Sequence, residues 1–228
     1  NIKNVINELK KDAPYADILV VNDCSRDNTI KIVEECQTEY ISMPFNVGYT
    51  GVIQAGFKYA LEKNYKYVVQ FDGDGQHVAS EIRKLYEKIT STKADIVIGS
   101  RFLVETDYNH SFFRTLGTKI FTSIIKLACK KKITDPTSGF QILNQSAYCL
   151  YAQMANYPDY PDANLIIEML YNGYNIEEIP VQMRERTIGV SMHAGILKPI
   201  NYMVTMFYSI LIILIKYFGI NRNKEIRT

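Results

Sequence analysis

Tryptophan is absent from this 228-residue chain, histidine occurs three times, and the charges almost cancel, with 26 lysines and arginines against 24 acidic residues. A net charge of +2 gives no sign of wholesale nucleic-acid binding, and no such partner is expected. The local run Lys130-Lys131-Lys132 reads as a solvated helix end. The four cysteines, Cys24, Cys36, Cys129 and Cys149, form no C-x-x-C pair and do not cluster with histidine. That spacing excludes the common zinc and thiol-redox motifs and reads as reduced thiols in a cytoplasmic protein. No signal peptide opens the sequence, so the N-x-S triplets at Asn109 and Asn144 carry no weight as glycosylation sites. Gly48, Gly51 and Gly56 match neither the dinucleotide fingerprint G-x-G-x-x-G nor the phosphate loop G-x-x-x-x-G-K-[ST]. Small residues there serve instead to bring a helix close to a sheet. Internal repeats and low-complexity tracts are also missing.

What is present is a chain that is 47% hydrophobic and carries seventeen tyrosines, enough to build the core of one large domain, or of one domain with a C-terminal appendage. Residues 1–11 set Ile2, Val5, Ile6 and Leu9 at helical spacing, so the sequence starts inside a helix with no strand before it. A strand at Asp17–Val21 closes on Asn22-Asp23-Cys24-Ser25-Arg26-Asp27-Asn28-Thr29, where Asp27 or Asn28 caps the next helix. A short strand at Tyr40–Met43 stops at Pro44, and a helix follows Asn46-Val47-Gly48. Strand and helix then alternate through strands near 68–71, 94–101, 141–143 and 175–183, which predicts a mostly parallel, doubly wound α/β sheet. Pro180 makes the last of these an edge strand.

The chemistry concentrates at Val68-Val69-Gln70-Phe71-Asp72-Gly73-Asp74-Gly75-Gln76-His77. An apolar run ending at two carboxylates reads as a buried strand that delivers acids to the carboxyl edge of the sheet, where α/β proteins bind ligands. Asp72 and Asp74 flank a glycine and Gln76 adds a neutral oxygen, a donor set suited to Mg²⁺ or Mn²⁺ held against a diphosphate. A strand followed by an ordinary Asp-Gly turn is the plain alternative. Arg101 ends another strand and can meet a phosphate bidentately, or pair with a surface acid. The polar loop Arg184-Glu185-Arg186-Thr187-Ile188-Gly189-Val190-Ser191 can wrap anionic oxygens, or serve as an exposed connector.

From Pro199 to Ile215 the chain is almost wholly apolar, broken only by Asn201, Thr205 and Ser209 at four-residue spacing. At ~1.5 Å per residue such a helix is roughly 26 Å long, short of a ~30 Å hydrocarbon core. Lys216, Arg222, Lys224 and Arg227 follow it and suit an anionic, cytoplasmic membrane surface. An interfacial or partner-packed helix is therefore expected rather than a complete span, with burial inside a homo-oligomer as the dry alternative.

Read together and in order, these segments resemble the family 2 inverting glycosyltransferases of GT-A fold, and among them the enzymes related to dolichyl-phosphate mannosyltransferase that load a sugar onto a polyprenyl phosphate. The resemblance covers about residues 1–195, leaving 196–228 as an apolar helix and basic tail. Asn22-Asp23-Cys24-Ser25-Arg26-Asp27 is similar to the family's D-D-G-S-x-D, which implies that Asp23 contacts the nucleotide. Asn46-Val47-Gly48 through Ala55-Gly56 is similar to its N-x-G…A-x-x-x-G helix start, which implies donor binding at Asn46 and Gly48. Asp72-Gly73-Asp74-Gly75-Gln76-His77 resembles its D-x-D-x-Q-H, and this implies that Asp72, Asp74 and Gln76 hold metal and donor diphosphate, with Gly73 beside the donor. Gly99-Ser100-Arg101, Arg114-x-x-Gly117, Asp135 with Ser138-Gly139-Phe140, and Arg186-x-x-Gly189-x-Ser191 match later elements in order. They imply phosphate or acceptor binding at Arg101, Arg114, Arg186 and Ser191.

The family opens with a strand and a P-x-Y-N-E turn, whereas this sequence begins after that point, so a strand is expected to be missing from the middle of the sheet. Asn22 and Cys24 replace the usual Asp and Gly, Val78 stands where proline is frequent, and Met192 where lysine is common. The resemblance implies a UDP- or GDP-linked sugar donor, a polyprenyl phosphate acceptor, and a place at the cytoplasmic face of the membrane, peripheral or C-terminally anchored, with a small membrane-protein partner in prospect. A phosphate acceptor is already anionic near neutral pH. A sugar hydroxyl acceptor would need a base, for which Asp135 is the candidate. Two other classes stand as alternatives: a non-catalytic membrane-tethered subunit, and a haloacid-dehalogenase-type phosphohydrolase with Asp72 as nucleophile, against which Gln76 in place of threonine argues.

Overall fold

The computed structural model describes residues 1–103, 112–155, 157–184 and 197–225; for 112–116, 197–199 and 218–225 it describes the backbone alone. Helix α1 (Ile2–Asp12) precedes β1 (Leu19–Asn22), α2 (Thr29–Glu35), β2 (Glu39–Ser42), α3 (Gly48–Glu62), β3 (Tyr67–Gln70), α4 (Glu81–Thr92) and β4 (Ile96–Ser100). Helix α5 (Phe112–Cys129), β5 (Gln141–Asn144), α6 (Gln145–Gln153), α7 (Ala163–Tyr171), β6 (Ile176–Pro180) and α8 (Leu197–Glu225) complete the order.

Helix α4 shows the local logic. Ile82, Leu85 and Ile89 fall on one face and are buried, and Lys93 closes the helix with φ 52° before β4 begins. Every residue of β4 is buried, as its continuous apolar run predicts. Its side chains alternate between two cores: Ile96 and Ile98 pack with Phe57, Phe121, Tyr148 and Leu143, and Val97 packs with Leu85, Ile89, Phe140 and Ile142.

Strand β5 lies between β3 and β4 and runs antiparallel to both, while β4 and β6 are parallel. Strands β3, β4 and β6 therefore share one direction, and the sheet is mostly parallel with one reversed strand that the repeating pattern did not indicate. The reason lies in the preceding turn, which carries the chain back so that β5 passes straight into α6. Strand β6 occupies the edge, where Pro180 is tolerated.

Strands β1 and β2 form a separate parallel pair. The free edges of β1 and β3 face a cleft of about 1420 Å³ lined by Val20, Val21, Val68 and Val69, with Ile6 and Phe57 at its walls. Among the described residues no strand lies in it.

Helix α8 is longer than the apolar run alone predicts; its 29 residues extend for about 43 Å at ~1.5 Å per residue. Within it, Ile200–Tyr217 is long and apolar enough to cross a membrane by length and composition. Tyr202, Met206, Ile210 and Ile213 form a buried stripe, whereas Ile200, Val204, Phe207, Tyr208, Leu211 and Ile215 are exposed. The inner stripe is fastened at both ends. Tyr202 donates its hydroxyl to Asp162 at 2.7 Å, Lys216 meets Glu168 at 2.9 Å, and Tyr217 stacks on Tyr171.

Gly99 sets the distance between β4 and its neighbours, since a methyl group there would stand 2.9 Å from Val181 and 3.2 Å from Phe140. Gly99→Ala is expected to destabilise the fold by about 1–3 kcal/mol, read from urea unfolding, because overpacking a rigid core forces side chains off their rotamers. Adding Val181→Ala should recover part of the loss.

Candidate active site

The loop after β3 is folded back on itself. Gly75 takes φ +83°, and the Asp74 carboxylate accepts the Gln76 backbone N–H at 2.9 Å, a local Asx contact that the sequence chemistry favours. His77 then returns beneath the strand end, where its Nδ1 accepts the Asp72 backbone N–H at 3.0 Å. Its ring stacks on Phe140 at 4.7 Å and meets Phe71 edge-on. With Nδ1 accepting, Nε2 carries the proton and faces the Asp72 carboxylate 3.8 Å away. Burial pushes the His77 pKa below its ordinary value, outweighing the opposite pull of Asp72 and Asp74.

A polar relay supports Asp72 from the side. Gln141 donates to Gln70, Gln70 donates to the Tyr49 hydroxyl at 2.9 Å, and that hydroxyl donates toward Asp72 at 3.4 Å. Burial, then the Asp72 charge, push the Tyr49 pKa up, so it remains a donor. Gly139 leaves room for this relay, since a Cβ there would lie 2.9 Å from the Tyr49 hydroxyl and 3.0 Å from the Gln70 amide and would push them aside.

On the other side, Gln76 accepts from the Arg184 backbone N–H at 2.8 Å, and Met183 bridges His77. The Arg184 guanidinium clasps Glu8 of α1 at 2.6 and 2.9 Å, while Glu8 also accepts the Ala79 N–H. Arg184 thereby holds the Glu8 carboxyl below its usual range. The segment leading into Arg186 and Ser191 thus departs from beside Gln76; Arg186 and Ser191 lie outside the described residues, and Arg114 is described only as part of the α5 backbone.

Asp23 sits at the end of β1, and its two oxygens accept the Val47 and Gly48 N–H groups at 2.6 and 3.0 Å. It braces the turn into α3, where Gly48 has φ +78°. Asn46 is exposed ahead of that turn. Asn22, at the position where the family has an acid, is buried and joins Ser42 to the Ser25 backbone.

At the end of β4, Arg101 donates from its backbone N–H, Nε and Nη2 to Asp135, with side-chain contacts of 2.7 Å, and reaches Thr137 at 3.0 Å. Asp135 is fully buried, and its backbone N–H is held by Glu178 of β6. Both carboxylate oxygens of Asp135 are engaged by Arg101, which makes Asp135 the holder of a guanidinium. That arrangement works against its expected use as a proton acceptor.

Three groups escaped the sequence reading. Tyr49 was visible only as part of a helix start, and Tyr202 was hidden inside an apolar run. Asp162 ends a Tyr/Pro/Asp-rich loop, and its place before a helix was the only signal. Burial pushes its carboxyl up to about 6, although Tyr202 and Arg101 oppose the shift.

Among the described residues there is no cluster of three or more His, Cys, Asp or Glu side chains able to cage a metal. Asp72, Asp74 and Gln76 nonetheless present oxygen donors within one loop. Two carboxylates and an amide fit a hard divalent ion that keeps waters and takes substrate phosphate oxygens for the rest of its shell.

This arrangement of acidic loop, strand-end arginine and mixed sheet is that of a nucleotide-sugar transferase, and the family model for glycosyl transferase family 2 matches residues 1–150. The chain belongs to that family. It is 28% identical over 200 residues to the UDP-N-acetylglucosamine–dolichyl-phosphate N-acetylglucosaminyltransferase of Methanococcus voltae, covering 79% of each chain. It is 24% identical over 215 residues to the polyprenol monophosphomannose synthase of Mycolicibacterium smegmatis, covering 86% of this chain and 77% of that one. Among solved structures, glucosyl-3-phosphoglycerate synthase from Mycobacterium tuberculosis, in complex with Mn²⁺, UDP-glucose and phosphoglyceric acid, superposes with a TM-score of 0.60 at 12% identity, over 96% of this chain and 75% of that one. That similarity establishes the GT-A architecture.

The neutral His77 generates a pH dependence with a definite sign. The unfolded chain takes up the imidazole proton near 6.5 and the folded chain only at lower pH. The stability that His77 contributes is therefore present above 6.5 and declines as the pH falls through that value toward the lower folded pKa. Urea unfolding of wild type and His77→Gln across this range should show their stability difference narrowing on acidification. Other titrating groups, Asp162 included, are common to both proteins and cancel in the difference.

Proposed function

We propose that this protein transfers a sugar, with inversion, from a UDP- or GDP-linked donor to a polyprenyl phosphate at a membrane surface. The observation that carries the reading is that β3 and β4 run in the same direction on either side of β5, so that the loop of Asp72, Asp74 and Gln76 and the locked Arg101 stand at the same edge of the sheet. Asp74, Gln76 and Asp72 would hold Mg²⁺ or Mn²⁺ against the donor diphosphate. When bound, the ion supplies Lewis-acid neutralisation of charge on the leaving diphosphate. Arg101, whose Nε and Nη2 are taken up by Asp135 and Thr137, is held as a fixed positive charge at the strand end that favours phosphate oxygens nearby. The relay through Tyr49 and the His77 contact keep Asp72 oriented toward the same point.

A polyprenyl phosphate oxygen is anionic near neutral pH, the second phosphate pKa being about 6, so a single displacement needs no strong base. The engagement of Asp135 with Arg101 favours this acceptor over a sugar hydroxyl. The names of the Methanococcus and Mycolicibacterium relatives point to the same acceptor class.

Helix α8 supplies the membrane contact in this reading. Its inner stripe is fastened to α7 and the preceding loop from Tyr202 to Tyr217, so crossing a bilayer would require stripping it from the domain. Its outer stripe of Ile200, Val204, Phe207, Leu211 and Ile215 is instead laid into the headgroup region with the helix in the membrane plane.

Labelled nucleotide sugar and undecaprenyl phosphate, incubated with the membrane-bound protein, should yield organic-soluble label. Asp74→Ala should lower the rate on the order of 100-fold or more, as expected when transition-state charge loses its stabilisation. Label found only in water-soluble glycans would refute the lipid acceptor. Separately, Val204→Glu with Leu211→Glu should abolish sedimentation with anionic vesicles while leaving the melting temperature nearly unchanged, because both positions are exposed.

A further inference from the structure

Helix α1 lies along the acidic loop and is fastened to it at two points. The Asn1 side-chain amide donates to the Asp74 backbone carbonyl at 3.1 Å, and about two turns further on Glu8 accepts the Ala79 N–H at 3.0 Å. Glu8 also receives both Nη1 and Nη2 of Arg184, at 2.6 and 2.9 Å. Arg184 in turn holds Gln76 by its backbone. Its N–H donates to the Gln76 carbonyl at 2.8 Å, and its own carbonyl stands 3.4 Å from the Gln76 side-chain nitrogen. A carbonyl oxygen only accepts, so the Gln76 amide presents its NH₂ group to Arg184 and turns its oxygen away from it. That oxygen is the end of the amide able to ligate a hard divalent cation.

From these contacts we infer that Glu8 and Arg184 are positioning residues for the cation: their clasp ties α1 to the segment beside Gln76 and so fixes where the Gln76 oxygen points. The inference rests on the transferase reading above, in which Asp72, Asp74 and Gln76 hold Mg²⁺ or Mn²⁺. Neither member of the pair is a ligand, since both Glu8 oxygens are taken up by Arg184 and Ala79. An ion pair with an exposed arginine adds little to stability, so the weight of this one lies in what its ends are attached to. One end holds the residue that follows the acidic loop, and the other belongs to the backbone that pins Gln76. The antiparallel bridge of Met183 to His77 sits one residue away, so the clasp closes the outer end of a short pairing between the loop and the chain leaving β6. Partners that orient a ligand in this way govern metal affinity without touching the metal.

The test is a titration of the full chain with Mn²⁺ in the presence of UDP or GDP, read from the loss of the free-ion electron paramagnetic resonance signal. Glu8→Gln keeps an acceptor for Ala79 and loses the charge that holds Arg184, while Arg184→Gln removes the guanidinium. Each should weaken Mn²⁺ binding about 10-fold. The double variant should bind no more weakly than either single one, because the same clasp is lost in all three. Arg184→Lys, which keeps the cation but not the fork, should recover part of the affinity. The sign for Arg184 is diagnostic. Coulomb's law alone predicts tighter Mn²⁺ binding when a nearby positive charge is removed and weaker binding when Glu8 is neutralised. Opposite changes in the two variants would therefore overturn the assignment and leave a simple field effect. Unchanged Mn²⁺ affinity in both, whatever the melting temperature does, would overturn it too and leave the clasp as a stabilising contact. A wild-type chain that binds nucleotide but no Mn²⁺, or one whose Mn²⁺ binding survives Asp74→Ala, would overturn the metal reading itself, and this assignment with it.

Discussion

The buried pair between Arg101 and Asp135 is the contact on which the working edge of the sheet depends. It joins the end of β4 to the turn before β5, and Glu178 ties that turn to β6. Removing one partner of such a pair strands a charge in the interior, at a cost of about 3–5 kcal/mol, so the pair acts as a geometric lock on the strand ends. Once the turn is locked, Gly139 and Phe140 are placed as well. Gly139 allows Tyr49 and Gln70 to close beneath Asp72, and Phe140 gives His77 a ring to stack on. The orientation of the acidic loop is thus inherited from an ion pair on a neighbouring strand.

Much of this was legible in the residues. Strand β4 declared itself by an unbroken apolar run, the acidic loop by carboxylates following another, and the edge position of β6 by Pro180. The reversal of β5 was not legible, because a four-residue strand reads the same in either direction and its orientation is set by the turn before it. Nor was the function of Asp135: an acid in a turn suggests chemistry, and only its partners reveal that it holds Arg101. Asp162 and Tyr202 are forty positions apart, and local pattern carries no trace of a contact made across that separation. Tertiary pairing of polar side chains is where reading by periodicity stops.

Helix α8 illustrates a related ambiguity. Composition alone describes a stretch apolar apart from the thin stripe of Asn201, Thr205 and Ser209, and it does not say which face the domain covers. The structure divides it into a stripe that the domain covers and a stripe that it leaves bare. The polar fastenings at Tyr202 and Lys216 decide which is which, since each meets an acid on or just before α7.

The cleft between β1 and β3 has a consequence for how the molecule breathes. Without ladder hydrogen bonds across it, the β1–β2 pair joins the remainder through α1, α3 and the clasp of Asp23 on the α3 turn, and not through a shared sheet. Among the described residues, then, β1 and β2 can part from β3 to β6 without breaking a sheet ladder.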